Sequence, residues 1–288
     1  MGAKPSTSST TVGTHEALTP LLPPGESAPA TAIVEQLGLW ERTQQPAQRP
    51  RVMLNMVSTV DGRATVAGLS GAISGRADRE LFHALRSTAD AILVGAGTVR
   101  VERYGRIVPD PDRRRLRRER GLADEPLACI VSGRLAFERD LPLFAEPAAR
   151  VVILTPSTAS LPDVEAQIEY VRAGQDGRLD LVAALAELHA RFSVATILCE
   201  GGPHLCRELL AAGLVDELFL SLAPKLAGGE PAAGGAALRI LAGGELEPPL
   251  ELELLGVLRN ASALFLRYGI SARERVSRET IASSSEAR

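Results

Sequence analysis

Four short apolar runs constrain this chain most: A-I-L-V at 91–94, L-A-C-I-V at 127–131, V-V-I-L at 151–154 and A-T-I-L-C at 195–199. None alternates with polar residues as a half-exposed strand does, so each reads as a strand buried on both faces. Between and beside them lie segments whose apolar residues recur at helical spacing, at 76–86, 179–192 and 202–212. In the first of these, Leu81, Phe82 and Leu85 share a face and Ser74 can cap the start. Strands alternating with helices predict an α/β fold, a mostly parallel central sheet with helices on both faces. Strands are also expected at 52–57, 216–222, 250–258 and 262–268, the last two forming a C-terminal antiparallel hairpin across a polar link at 259–261.

Residues 1–30 are rich in Ser, Thr, Pro, Ala and Gly and read as a disordered tail. Residues 31–50 read as a short helix and linker, 51–270 as one globular domain, and 271–288 as a loose polar tail. Apolar residues make up 45% of the 288 and net charge is −3, so nothing global points to nucleic acid or a membrane. Aromatics at 3% are too few for base-stacking platforms. No signal segment or membrane-length apolar run is present in the sequence, and a cytoplasmic location is expected. Cys129, Cys199 and Cys206 lie in or beside apolar segments without metal or disulfide spacing, and read as buried thiols. No metal site is expected. The run R-R-R-L-R-R-E-R at 113–120 reads as a solvated loop or short helix, with a phosphate-binding arm as the sharper alternative.

Three segments can carry chemistry. In A-T-I-L-C-E-G-G-P-H-L at 195–205 a strand ends at Glu200, and Gly201-Gly202 opens a helix. A helix start offers free backbone N–H groups and the positive end of the helix dipole, which suits a phosphate. In A-I-L-V-G-A-G-T-V-R-V-E at 91–102, the turn Gly95-Ala96-Gly97 precedes Thr98. It matches neither the G-x-G-x-x-G fingerprint nor a P-loop, yet two such turns can cradle a dinucleotide pyrophosphate. In N-M-V-S-T-V-D-G-R at 55–63, Asp61 follows a strand and can serve either as a turn residue or as a proton-handling carboxylate. Between these segments, G-L-S-G-A-I-S-G at 68–75 reads as a ligand-covering loop, with Arg76, Arg79 and Arg86 nearby.

Taken in order, S-T-V-D-G-R-A-T at 58–65, S-G-A-I-S-G at 70–75, A-L-R-S-T-A-D-A-I-L-V-G-A-G-T-V at 84–99, I-L-C-E-G-G-P-H-L at 197–205, L-V-D-E-L at 214–218 and A-P-K-L-A-G-G at 223–229 resemble the pyrimidine reductases of riboflavin biosynthesis, the RibD C-terminal domain family. The resemblance implies a dihydrofolate-reductase-like fold and NADPH-dependent reduction of a phosphoribosylamino-pyrimidine at ribose C1′. It places the cofactor against Val57, Ala72, Gly95, Gly97, Thr98, Glu102, Ser132 and the turn Gly201, Gly202, Pro203, His204 and Leu205. It places Ser70, Arg86 and Glu200 against the substrate, and Asp61 or Glu200 as the source of the proton. It also implies a homodimer, with Leu252, Leu254, Leu264 and Leu266 of the hairpin as contact candidates. On this reading Asp61→Asn keeps NADPH binding and loses most turnover.

Three departures stand out. The H-x-E and P-C-x-x-C motifs of the fused deaminase are absent, so no deamination is expected. Glu102 stands where the family has Asp. The family's D-P-x-L-x-x-R continuation is replaced by E-R-Y-G-R-I-V-P at 102–109, which leaves Arg103, Arg106 or the 113–120 run to replace its phosphate-binding Arg. Two alternatives are a reductase of another flat heterocycle, such as dihydrofolate or a pterin, and a nucleotide sensor without turnover.

Overall fold

The computed structural model describes residues 16–41, 48–138, 140–229 and 238–270. In chain order the strands are β1 (Ala17–Leu22), β2 (Ala28–Pro29), β3 (Arg51–Thr59), β4 (Ala91–Gly95), β5 (Leu127–Val131), β6 (Arg150–Thr155), β7 (Gln167–Arg172), β8 (Thr196–Cys199), β9 (Glu217–Ala223), β10 (Leu252–Asn260) and β11 (Ala263–Ile270). The helices are α1 (Ala30–Gln36), α2 (Arg76–Thr88), α3 (Ala96–Val101), α4 (Pro111–Glu119), α5 (Leu181–Phe192) and α6 (Pro203–Ala211). All strands join one sheet in the order β2-β1-β10-β11-β9-β3-β8-β4-β5-β6-β7. From β9 to β7 every neighbouring pair is parallel; from β9 to β2 every pair is antiparallel.

The apolar runs are continuous because alternate residues feed two different cores. Ile92, Val94, Ala128, Ile130, Val151, Ile153 and Leu198 face one core with Leu81 and Leu85 of α2 and Ile33 and Val34 of α1. Ala91, Leu93, Leu127, Cys129, Val152, Leu154, Ile197 and Cys199 face the other, with Leu185 and Leu188 of α5 and Cys206 and Leu209 of α6. Successive strand side chains point to opposite faces, so a strand covered on both sides has no polar position left. The expected α/β sheet and its C-terminal hairpin are the observed ones, the hairpin turning through Ala261 at φ 48°. All three cysteines are free and buried. Among the described residues no helix is long and apolar enough to cross a membrane.

Three expectations need correction. The second half of the expected disordered tail contains β1, whose Thr19 and Pro20 pair with Arg259 and Leu258 of β10 and whose Leu18 is fully buried. The first half, and the 271–288 tail, lie outside the described residues. Ser74 does not cap α2: the N-cap is Gly75 with no side-chain bond, and the Ser74 hydroxyl donates to Asp78 instead. The 113–120 run lies mostly within α4, capped by Asp110, and Arg117 in it is 1% exposed. Its guanidinium donates to the carbonyls of Ser87 and Ala89 at the end of α2, and of Ala123, so its charge ties helices together.

Candidate active site

β3, β8 and β4 are adjacent and parallel, so their C-terminal ends lie side by side. Ligands of open α/β sheets bind outside these ends. A cleft of about 850 Å³ opens there, walled by the turn after β4, the turn after β8, the 66–75 loop and one side of α2.

The two glycine turns pack on each other. The Gly95 N–H donates to the Gly201 carbonyl at 2.7 Å, and Gly201 holds φ +95°, a conformation glycine adopts freely. A Cβ on Gly202 would sit 2.8 Å from Thr98 Oγ1, and one on Gly95 would sit 3.3 Å from the Gly202 nitrogen. Gly202 is the N-cap of α6, Pro203 fills its first turn, and no side chain caps the end. The first-turn amides of His204 and Leu205, residues that line the cleft, are therefore left without a side-chain acceptor.

Deeper in the cleft, Arg86 of α2 grips Glu200 at the end of β8. Arg86 Nε donates to Glu200 Oε1 and its terminal nitrogen to Oε2, both at 2.7 Å, with the side chains 9% and 2% exposed. Arg86 also donates to the Ile107 carbonyl at 3.0 Å and stacks 4.1 Å from the Phe82 ring centre. Tyr104 donates its hydroxyl to Glu200 Oε2 at 2.7 Å. Burial alone would lower the Arg86 pKa, but the Glu200 carboxylate outweighs it and holds the guanidinium above its ordinary range. Burial, with Glu200 beside it, pushes the Tyr104 phenol well up, so it stays protonated and donates.

The covering loop is tied down on two sides. The Ser70 amide and hydroxyl both donate to Glu102 Oε1, at 2.9 and 2.8 Å. Lys225 Nζ donates to the carbonyls of Ala72 and Ile73 at 2.7 and 3.1 Å.

Of the residues singled out in the sequence, Val57, Ser70, Arg86, Gly95, Gly97, Thr98, Glu102, Glu200, Gly202, Pro203, His204 and Leu205 come together around this cleft. Four do not line it. Gly201 sits behind the wall and accepts the Gly95 bond. Ala72 contributes its carbonyl to Lys225. Ser132 is 5% exposed and its hydroxyl accepts the Leu135 amide. Asp61 is turned to the 224–229 loop, where its carboxylate accepts from the Thr59 hydroxyl at 2.5 Å and from the amides of Ala227 and Gly228. Those bonds, the Thr59 one foremost, pull its pKa down to about 2. Asp61 is thus an anchor of the 224–229 loop that lies outside the cleft lining.

Sequence reasoning missed Tyr104, and it placed Phe82 on the apolar face of its helix without assigning it to the cleft it lines. It also missed Lys225 as the loop tie. Of the Arg candidates after Glu102, Arg103 lines the cleft, where it pairs with exposed Glu138 and Asp140. Arg106 is instead paired to Glu125 and Glu146. Arg79 also lines the cleft, and its guanidinium donates to the Ser74 carbonyl.

Comparison with known proteins agrees with this architecture. The model of the RibD C-terminal domain family matches residues 50–261. The chain is 31% identical over 186 residues to a 2,5-diamino-6-ribosylamino-4(3H)-pyrimidinone 5′-phosphate reductase of Methanothermobacter thermautotrophicus, covering 64% of this chain and 82% of that one. It is 31% identical over 181 residues to the riboflavin biosynthesis protein RibD of Mycobacterium tuberculosis, covering 62% of this chain and only 44% of that longer protein. A solved pyrimidine reductase-like protein of Corynebacterium diphtheriae superposes with TM-score 0.63 at 26% identity, over 77% of this chain and 92% of the other. The sheet is the dihydrofolate-reductase-like one that the sequence resemblance implies, and the chain belongs to the RibD C-terminal domain family.

Proposed function

We propose that this chain is an NADPH-dependent reductase of riboflavin biosynthesis, converting a phosphoribosylamino-pyrimidine to its ribitylamino product by reduction at ribose C1′. The observation that carries this reading is the meeting, in one cleft, of uncapped α6 amides with the buried Arg86–Glu200 pair. The reductase named among the relatives acts on such a pyrimidine phosphate.

The residues present fit a dinucleotide. Small residues at 95, 97 and 202 keep side chains out of the space before α6, and the helix start offers N–H donors for a pyrophosphate. In this reading Val57, Thr98, Glu102 and the 202–205 turn hold the cofactor, which when bound supplies the hydride. The chain's own work is alignment: Phe82 and the 66–75 loop enclose the substrate, and Ser70, Arg86 and Glu200 orient it. Arg79 and Arg103 are the cleft arginines not bound to a buried carboxylate, and they take the phosphate in place of the family's missing Arg. Glu200, already holding Arg86, acts as an anion and acceptor, so the proton for the opening ribose oxygen comes from water in the open cleft. We place the protein in the cytoplasm as a homodimer joined through the β10 face, where Leu252, Leu254 and Leu255 are 38–43% exposed.

NADPH oxidation followed by absorbance, with the 2,5-diamino and 5-amino pyrimidine phosphates and dihydrofolate offered in parallel, tests the proposal. Oxidation with a pyrimidine phosphate that disappears on removal of the phosphate is the expected result. Oxidation with dihydrofolate alone, or with none, defeats it. Light scattering on a sizing column reads the dimer.

A further inference from the structure

Glu200 is part of the cleft lining, and its hydrogen bonds limit what it can still do. An ionised carboxylate offers about four lone-pair sites, two on each oxygen. Oε2 accepts from Arg86 and from the Tyr104 hydroxyl, and Oε1 accepts from Arg86 Nε. Oε2 is therefore filled, and one acceptor site remains on Oε1. A carboxylate held by a bidentate guanidinium and a phenol O–H is engaged as an acceptor on both oxygens.

Tyr104 occupies its place independently of that hydroxyl. Its amide donates to the Val99 carbonyl at 3.1 Å, and its carbonyl accepts from the Leu143 amide at 2.9 Å. Its ring lies 5.4 Å from the Arg86 guanidinium, on which Phe82 also stacks. The hydroxyl donates to Glu200 and also lies against the Arg86 side chain that grips the same carboxylate. The segment bearing it, E-R-Y-G-R-I at 102–107, is also where this chain leaves the pattern of the family it resembles.

We infer that Tyr104 is a positioning and specificity residue. It fills Glu200 Oε2, turns Oε1 toward the cleft, and so commits the site to substrates that present an N–H or O–H donor there, such as a ring amine or a ribose hydroxyl. This rests on the reductase reading above. A group at that point bearing only acceptors would face an unshared anion and be rejected, as sites built around one polar partner reject analogues that cannot supply it.

The test is Tyr104→Phe, which keeps the ring, the backbone bonds and the stacking and deletes the hydroxyl. We expect the KM for the pyrimidine phosphate to rise about tenfold, the loss of one charge-assisted hydrogen bond. The KM for NADPH and kcat stay within about twofold, and the melting temperature within about 3 °C, because nothing else is removed. An unchanged pyrimidine KM overturns the inference while leaving the reductase reading intact. A fall in kcat at constant KM overturns it too, by putting the phenol into proton transfer. A large melting loss overturns it in favour of packing alone. Wild-type protein that turns over neither pyrimidine phosphate removes the reductase reading and this inference together.

Discussion

Arg86→Met is the perturbation that most directly tests the account of the cleft. Methionine keeps an unbranched stem of similar volume, so packing is nearly conserved and the change removes charge and hydrogen bonds. Lost are the two 2.7 Å bonds to Glu200, the bond to Ile107 and the guanidinium over Phe82. What remains is a carboxylate whose side chain is 2% exposed, with Tyr104 as its one remaining donor among the described residues. Breaking a buried ion pair from one side costs about 3–5 kcal/mol, because the partner's charge is left uncompensated. In a domain of this size each kcal/mol moves the melting temperature by about 2–4 °C, so a drop of roughly 6–20 °C is expected.

A second variant separates charge from packing. In Arg86→Met/Glu200→Gln the orphaned charge is gone, and at least half of the lost melting temperature should return. Arg115→Ala serves as the exposed control. Arg115 pairs with Asp112 and Glu119, but all three side chains are 61–73% exposed, and the change should cost no more than about 1 kcal/mol. The assay is thermal unfolding by circular dichroism of the apo protein at low and high salt, with the buried effect persisting where the surface one fades. An Arg86→Met protein melting within about 2 °C of wild type, or a double variant no better than the single, would refute the reasoning.

Three further outcomes follow from the same geometry. Gly202→Ala drives a Cβ into Thr98 Oγ1, so NADPH affinity by fluorescence titration should weaken about tenfold and recover partly in Gly202→Ala/Thr98→Ala; an unchanged Kd counts against the turn as cofactor seat. Asp61→Asn concerns acid stability: the folded pKa of about 2 lies below the ordinary 3.8, so Asp61 contributes stability that is present above about pH 4 and lost as pH falls toward 2. The urea midpoint of Asp61→Asn should therefore trail wild type at pH 6 and converge with it near pH 2, with kcat largely kept since the carboxylate lies outside the cleft lining; equal midpoints at both pH values, or abolished turnover, would contradict this. Arg79→Ala should raise the KM for the pyrimidine phosphate at least about fivefold and leave that of the dephosphorylated compound unchanged, whereas an equal rise for both would move the phosphate elsewhere.

What the sequence reveals tracks how local the determining physics is. β4, β5, β6 and β8 are legible because burial on both faces writes an unbroken apolar run into a few consecutive residues. β7 carries the same parallel pairing but sits at the sheet edge, where Glu169 and Arg172 interrupt its pattern. β1 is hidden for another reason: only its Leu18 is buried, and its partner β10 lies more than 230 residues further on. The Arg run at 113–120 looks like surface because charge count is visible and carbonyl partners are not. Nothing local says that Arg117 will reach the end of α2, 28 to 30 residues back.

The two carboxylates picked out as proton sources show the same limit at the level of chemistry. Asp61 and Glu200 follow adjacent strands, β3 and β8, and by residue type and position they are equivalent candidates. Their partners separate them. Asp61 meets amides 166 and 167 residues away, which hold it ionised against a loop. Glu200 meets Arg86, 114 residues before it, and Tyr104, 96 residues before it, inside the cleft. One fastens the 224–229 segment whose Lys225 holds the 66–75 loop, and the other lies in the cleft lining, bound by Arg86 and Tyr104. A strand-end carboxylate is thus an address in the fold. Its role is set by which donors the rest of the chain brings to it, and those donors differ between the two.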